Sequence, residues 1–600
     1  MSIKTLRKIT LYGLTREKEA VLNGLQEMGR VHLIPLAETP AAPENGFSEL
    51  RAAKEACSYL QGCPVKRREM RHMDGVDPDE VVTRVLANKY QLRAASDARD
   101  NLIERIREVR PWGDFSFPEL NQLDGVRLWF YVIPRRGMAA LETIGIPWKT
   151  VRCDHRNCHV VLLSKTEPDT NLLPVRRSHV GGDSLSSLKQ QLEEAEMKVE
   201  DIQAERESLT RWLYVLNQIV ARKEDARALE DARRITLNDD RFFLISGWLP
   251  ADEQECTGDL VNSLAVATTI EDPTPEDNPP TLLDNPESVA GGTEAMAFYQ
   301  LPGYRTWDPS TMVFFSFSLF FAMIMNDAAY CAIFGAFMLL LFRKRPDAGK
   351  TGIRIRNLAF FMSALGVVWG ICSGSYFGHT PGRDTFPGSL HFIDIHNYSA
   401  MMKLSIIIGA VHIMIANLIT AWNNRSRLCS MAPLGWTLTI AGGVVLWLGM
   451  TGDLEPVWKT TFGPALAIIG AVSIFLFTST RPVSSTKDIL FRIIDGLRAL
   501  YNISTVFGDI LSYMRLFALG LAGTSLAVTF NTLAFRVLKS GPDINVLSCA
   551  LILILGHLLN IALSLMSGIV HGLRLNVIEF FKWSLTEEGY PFKPFKKQGD

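Results

Sequence analysis

The stretch GDILSYMRLFALGLAGTSLAVTF, residues Gly508 to Phe530, decides how this chain is read. It is apolar enough to dissolve in lipid, yet it carries Asp509 near its start and Arg515 near its middle. A cation at the centre of a membrane helix costs on the order of 3 kcal/mol even on permissive insertion scales, so Arg515 needs a partner or an aqueous cavity. Asp509 lies six positions earlier, about 120° away around an α-helix, and is not the i,i+3 or i,i+4 neighbour that would pair directly. The arginine's own face carries Gly508, Ser512, Ala518 and Ala522, small side chains that let another helix come close. With no evident counter-charge on its helix, Arg515 is expected to meet a partner on something that docks there.

Working outward, apolar segments recur at about 311–325, 327–342, 357–378, 401–421, 432–450, 460–479, 503–535 and 545–570, which makes eight candidate spans. The basic residues sort them. One set of loops holds Arg343, Lys344, Arg345, Lys350, Arg354 and Arg356, then Arg425 and Arg427, then Arg481, Lys487, Arg492 and Arg498, and the tail adds Lys582, Lys593, Lys596 and Lys597. The opposite loops hold mainly Arg383, Lys459, Arg536 and Lys539. Eight spans with both termini inside satisfy the positive-inside rule. The first two spans are short and share the MND junction at 325–327, where a re-entrant pair is an alternative.

The last two helical patterns, 488–538 and 546–583, correspond to roughly 55 to 75 Å at 1.5 Å per residue, against a hydrocarbon core of about 30 Å. Both are expected to tilt steeply or to extend beyond the lipid. In the final one, Asn560, Ser567 and Arg574 are spaced by seven, with His571 three before the arginine, so one polar stripe runs down an otherwise apolar helix. The stripe reads as the wall of an aqueous path or, for the Asn and Ser, as hydrogen-bonding glue between helices. His557 points to a different face and reads as structural. Asp327, at the junction of the first two spans, reads as a cap or turn residue ahead of a role in ion transfer.

The first 300 residues differ in kind: Glu, Asp, Lys and Arg are frequent, and no span-length apolar run occurs. With 62 basic and 63 acidic residues the net charge is −1, so no charge excess points to nucleic acid. Nine scattered cysteines and an N-terminus lacking the features of a signal peptide place this half in a reducing cytosol. LRKITLYGL, RVHLIPL, VRLWFYVIP, KTVRC, CHVVLLS and RFFLISGWLP read as strands, and REKEAVLNGLQEMG as an amphipathic helix closed by Gly29. Between them, Leu185, Leu188, Leu192, Ala195, Val199, Ile202, Leu209, Leu213, Leu216 and Val220 keep a heptad seam broken at Arg206. Its expected partner is the charge-rich helical stretch 48–110, folded back as the other arm of a hairpin; a plain helical bundle is the alternative. CDHRNCH (Cys153, His155, Cys158, His159) has metal-ligand residue types, but a hairpin turning at Arg156-Asn157 explains its spacing without metal. GKTG at 349–352 lacks the glycine that a phosphate-binding loop needs five residues earlier, where Lys344 stands. The fold class expected is an α+β cytosolic domain over 1–300, two small α/β lobes joined by a long antiparallel coiled-coil hairpin. An all-α polytopic membrane domain of about eight helices follows over 301–600.

SYMRLFALGLAG around Arg515 and GHLLNIALSLMSGIVHGLRLNVIEFF around Arg574 resemble the last two membrane helices of the V-type and archaeal A-type ATPase stator subunit, called subunit a or subunit I. KITLYGLTREKEAVLNGLQEMGRVHL, FFLISGWLP, YQLPGYRTWDPS, GSYFG and PFKPFK fit the same family in its usual order, so the resemblance spans the chain. Two departures stand out. MNDAAYC keeps Asp327 and Tyr330 but lacks the glycines usual around the second span, and Ser564 stands where eukaryotic members tend to carry a glutamate.

The resemblance implies a non-nucleotide-binding membrane subunit whose long helices face a rotating proteolipid ring, with Arg515 meeting each rotor carboxylate and Arg574 assisting it. Asp509, Ser512, Asn560, Ser567 and His571 are the candidate path residues, with Asp327 a weaker one. The family further implies H⁺ or Na⁺ as the ion, and peripheral-stalk subunits and the central-stalk membrane adaptor as partners. It implies no cofactor, metal or nucleotide in this chain, and a prokaryotic cell membrane with both termini cytoplasmic. Two rivals from other classes are a self-contained secondary transporter, expected to show repeat symmetry, and a membrane-anchored coiled-coil scaffold, which leaves Arg515 unexplained.

Overall fold

The computed structural model describes residues 2–36, 44–71, 77–115, 125–143, 145–168, 175, 177–178, 180–254, 258, 266–343, 349–382, 384–393, 397–423, 430–479, 481, 486–539, 544–585 and 587–598. Of the loop cations used to orient the spans, Lys344, Arg345, Arg383, Arg425 and Arg427 lie outside the described residues. The chain divides into two compact units. One comprises Met1–Leu11, Ser246–Ser263 and Ala267–Pro594; the other comprises Tyr12–Ile245, Leu264–Val266 and Phe595–Asp600.

Strands β1 (Leu6–Leu14) and β7 (Phe242–Pro250) lie in a sheet of order β2-β7-β1-β8, with β6 pairing β7. Here β2 is His32–Ile34, β6 is Leu237–Asn238 and β8 is Ala267–Glu271. Helix α1 (Lys18–Met28) buries Val21, Leu22 and Leu25 and stops at Gly29, whose φ of 66° a side chain would resist. A second sheet, order β3-β5-β4, is built from Arg127–Pro134, Trp148–Cys153 and Asn157–Ser164. The β4–β5 hairpin turns at His155-Arg156, one residue before the expected Arg156-Asn157, with the Asp154 amide donating to the Asn157 carbonyl at 2.8 Å, and Cys153 stands opposite Cys158. Their sulfurs are bonded, a pairing that the reading of the cysteines as scattered missed.

The seam is a four-segment antiparallel coil. The stretch 48–110 is two helices, α2 (Glu44–Gln61) and α3 (Pro78–Val109), and the opposite arm is α4 (Leu185–Leu209) and α5 (Leu213–Ile235), joined by one 3₁₀ turn. Val199 and Ile202 pack with Ala95, while Leu209, Leu213, Leu216 and Ile219 pack with Ala53, Ala56 and Leu60. The gap at Arg206 is filled rather than empty: its guanidinium sits over the Tyr59 ring at 4.2 Å and donates to the Tyr59 carbonyl at 2.5 Å. Asn88, buried in the seam, accepts from the Tyr59 hydroxyl and donates to the Ile202 carbonyl.

In the other unit, eight apolar stretches form helices. Among the described residues two are short, α6 (Ser310–Met325) and α7 (Ala328–Arg343), and six are long and apolar enough to cross a membrane. Four of the six are α8 (Gly349–Ser373), α9 (Tyr398–Asn423), α10 (Met431–Met450) and α11 (Gly463–Phe477, preceded by a π turn at Trp458–Phe462). The fifth, Thr486–Lys539, runs 54 residues through α12 (Thr486–Tyr501), α13 (Ile503–Ser512) and α14 (Met514–Lys539). The sixth, Val546–Ser584, comprises most of α15 (Ile544–Arg574), a π turn at Leu575–Phe580 and α16 (Phe581–Ser584).

The ends of these helices meet on one face. Trp307, just before α6, donates to the carbonyl of Ser584 at the last helix end, and Thr420 near the end of α9 donates to the carbonyl of Trp583. Strands β9 (Leu301–Pro302) and β10 (Glu588–Gly589) pair beside them. The core is aromatic, with Phe314, Phe317 and Phe321 of α6 packed against Tyr330, Phe334 and Phe580.

Candidate functional site

Arg515 sits in the first turn of α14, just after an irregularity at Tyr513. There the amide of Tyr513 reaches back only to Ile510, and that of Leu516 only to Tyr513. This 3₁₀-like tightening brings residues three apart onto one line, and Arg515 Nη2 donates to Ser512 Oγ at 2.7 Å. Ser512 in turn donates to Glu579 Oε1 at 2.6 Å, and Arg515 Nη2 stands 3.8 Å from that same oxygen. The carboxylate comes from the π turn of the last helix, and its side chain is 4% exposed against 23% for Arg515. A π turn is rare and adds a residue to the helical register, re-aiming the side chains it holds.

Thus Arg515 does have a counter-charge within the chain, which corrects the expectation that its partner lies wholly on a docking molecule. Asp509 is indeed not that partner. It accepts from Lys582 at 2.9 and 3.2 Å and from the Trp583 indole at 2.8 Å, which ties α13 to the last helix.

Behind the arginine the wall is buried and aromatic. Tyr513 is fully buried and shares a hydrogen bond of 2.8 Å with His412 Nδ1, and His412 stacks on Phe580 with ring centroids 4.3 Å apart. Arg574 is exposed at the end of α15, close enough to Arg515 for their charges to repel, and His571 one turn earlier feels both. Among the described residues, Arg515 Nη1, Glu579 Oε2 and His571 Nδ1 are buried without a hydrogen-bond partner.

The stripe on α15 divides. Ser567 is half-buried between the two polar groups, whereas Asn560 belongs to a second cluster. Fourteen residues separate Asn560 from Arg574, about 21 Å along an α-helix. Asn560 Nδ2 donates to the Tyr330 hydroxyl at 3.0 Å and to the Gly523 carbonyl at 2.8 Å, and its oxygen accepts from Ser564 at 3.5 Å. Tyr330 shares 2.7 Å with His557 Nδ1, whose Nε2 lies 3.0 Å from Asn531 Oδ1. His557 is therefore joined to Asn560 through Tyr330 rather than pointing away from it.

Asp327 stands at the foot of this cluster. One oxygen accepts from the amides of Ala329 and Tyr330, and the other from Ser375 Oγ at 2.9 Å and Gly378 N at 3.1 Å. It starts α7 and pins the 375–378 loop, in line with the cap reading. Glu579, Tyr330, His557 and Asn531 are the residues that sequence reasoning left out of the site. The quoted LRLNVIEFF contained the signal for the first of them, a carboxylate inside an apolar run.

No protein-family model matches the chain. Among known proteins it is similar to V-type ATP synthase subunit I of Borreliella burgdorferi, 24% identical over 99% of each chain. It is also similar to V-type ATP synthase subunit I 1 of Treponema pallidum, 26% identical over 99% of this chain and 100% of that one. The A-type ATP synthase subunit I of Pyrococcus abyssi is 28% identical over 59% of this chain and 53% of its own. Among solved structures, the crystallised cytoplasmic N-terminal domain of subunit I, homologue of subunit a of V-ATPase, matches at 13% identity. That match covers 44% of this chain and 99% of that one with a TM-score of 0.23. Over essentially its whole length this chain is similar to V-type ATP synthase subunit I, and over 59 to 68% of it to A-type ATP synthase subunit I.

Proposed function

We propose that the chain is the stator subunit of a rotary V/A-type ATP synthase, that residues 301–600 form the ion path against a rotating proteolipid ring, and that residues 1–300 form a cytosolic lever bound to peripheral stalks. On this reading both termini are cytoplasmic, the membrane is that of a prokaryotic cell, and nucleotide chemistry belongs to other subunits. Similarity to subunits I over the full length supports the stator assignment. The observation that carries the mechanism is Arg515, a cation inside a membrane-length helix whose Nη1 is buried without a partner among the described residues.

The mechanism follows from the chemistry of that group. A guanidinium does not release its proton in practice, so it favours the ionised form of any carboxylate brought beside it. A rotor acid arriving at Arg515 gives up its ion before passing, and regains one on the far side. Leakage is prevented when the aqueous approaches from the two faces are offset, and the two polar clusters, about 21 Å apart on one helix, are suited to that. The last two long helices leave an apolar face open, including Leu547, Leu551, Leu558 and Met566, which suits contact with an equally apolar ring. Arg574 supports Arg515, and the stripe residues Ser567 and His571 border the approach from its side. The transported ion is H⁺ or Na⁺.

The test is Arg515→Lys in the complete complex reconstituted into vesicles. A lysine carries a compact charge that shifts and deprotonates readily when desolvated, so coupled ion transport is expected to fall by at least roughly a hundredfold with subunit composition unchanged. Normal ATP-driven transport by that variant refutes the assignment.

A further inference from the structure

We propose that Glu579 is a positioning residue for Arg515: acting through Ser512, it holds one guanidinium nitrogen and leaves Nη1 as the nitrogen that receives the rotor carboxylate. This deepens the stator reading and rests on it.

The geometry separates the two nitrogens. Nη2 donates to Ser512 Oγ, and the Ser512 hydroxyl donates onward to Glu579 Oε1, so donor and acceptor alternate along an unbroken line. Each bond in such a line polarises the next. The direct Nη2–Oε1 separation is 3.8 Å, beyond hydrogen-bond range, so the glutamate offsets the charge of the arginine without occupying its planar fork. Nη1 is left with no partner among the described residues. A buried donor is seldom left unsatisfied in a native protein, and an orphan of this kind marks the place of something the isolated chain lacks.

The same arrangement explains why a buried glutamate stands beside a site meant for another acid. An arginine with no resident counter-charge would bind each arriving carboxylate too firmly for turnover. One closed into a bidentate pair with its own glutamate would refuse the visitor. A carboxylate held at one hydroxyl's remove avoids both, and its second oxygen, buried and unpartnered, gives no competing grip on the fork. Packing alone does not account for the residue, since an apolar side chain would fill the space without burying a charge.

The experiment uses the complete complex in vesicles, measuring ATP-driven ion transport and subunit composition together. Glu579→Gln and Glu579→Ser are expected to slow transport by about tenfold or more, with all subunits retained. Ser512→Asp placed on Glu579→Ser moves the carboxylate to the other member of the pair, and is expected to restore transport to within roughly threefold of wild type. A side chain needed only for packing gives no such rescue. Ser512→Ala, which removes the bridge and keeps both charges, is expected to slow transport by about threefold.

Wild-type transport by Glu579→Gln or by Ser512→Ala overturns the proposal, as does an assembled double variant no faster than Glu579→Ser. Arg515→Lys in the same assay separates the two levels. If it is inactive while Glu579→Gln is normal, only the role of the glutamate falls; if it too is normal, the stator reading falls first.

Discussion

Glu579 Oε1 lies 3.8 Å from Arg515 Nη2, with the Ser512 hydroxyl hydrogen-bonded to both. The two charged residues come from different helices, and each is delivered by a local departure from α geometry, a 3₁₀-like step at Tyr513 and a π turn at Leu575–Phe580. Regular helices would aim both side chains elsewhere. The site is therefore sensitive to how tightly the two helices are held, and the tightest packing behind it is at Tyr513.

Gly409 of α9 is where that packing leaves no room. A Cβ built there would stand 2.5 Å from Cγ of the Tyr513 ring, two residues before the arginine. Gly409→Ala is therefore expected to push α13–α14 outward at a cost of about 1 to 3 kcal/mol, and to slow coupled transport several-fold while the complex stays assembled. Gly443→Ala is the control: it lies in α10 with nothing within 4 Å of its added carbon, and equal transport is expected from that variant. Equal losses from both would show that the effect is not transmitted through Tyr513.

What was legible in the sequence and what was not follows from how far each signal reaches. Arg515 announced itself because one charge in an apolar run is costly wherever it lies, and the long helices, the strands and the heptad seam are likewise one-dimensional patterns. Glu579 stood in the same quoted motif but went unread, because five positions after Arg574 on a regular wheel is a different face, and a π turn is not visible in residue order. The joining of Asn560 to Tyr330 and His557 needs α7, α14 and α15 brought together, and a polar stripe on one helix cannot say which neighbour answers it. The break at Arg206 was legible as a gap; that Tyr59 fills it is a tertiary fact.

That arm of the coil supplies a second expectation. Asn88 is 1% exposed and joins Tyr59 on α2 to Ile202 and Glu205 on α4. A single buried amide satisfied on both arms fixes the register in which they pair. Asn88→Leu strands the Tyr59 hydroxyl and takes the second donor from the Ile202 carbonyl, which keeps its helical partner, so the coil is expected to lose about 2 kcal/mol. Amide exchange around Ile202 is then expected to accelerate roughly thirtyfold. Unchanged protection would mean that the amide neither holds the arms together nor sets their register.

The carboxylate of Asp277 gives a pH-dependent test outside the membrane helices. Thr274 donates to it through its hydroxyl at 2.6 Å and its amide at 2.9 Å, and Lys8 pairs with the other oxygen at 2.9 Å. These contacts, the Thr274 hydroxyl foremost and the lysine next, lower its pKa from 3.8 to about 2. Because the folded value is depressed, the stabilisation is complete above the unfolded value of 3.8 and is lost as pH falls through about 2. Asp277→Asn is therefore expected to lower stability by roughly 1 to 2 kcal/mol at neutral pH, allowing for solvent screening of the lysine. The difference from wild type should close as the medium is acidified from pH 3.8 towards 2. Thermal melts of both proteins across that range check the sign as well as the size. A gap that stays constant down to the acid limit would assign the loss to packing, whereas one that widens would contradict the charge argument altogether.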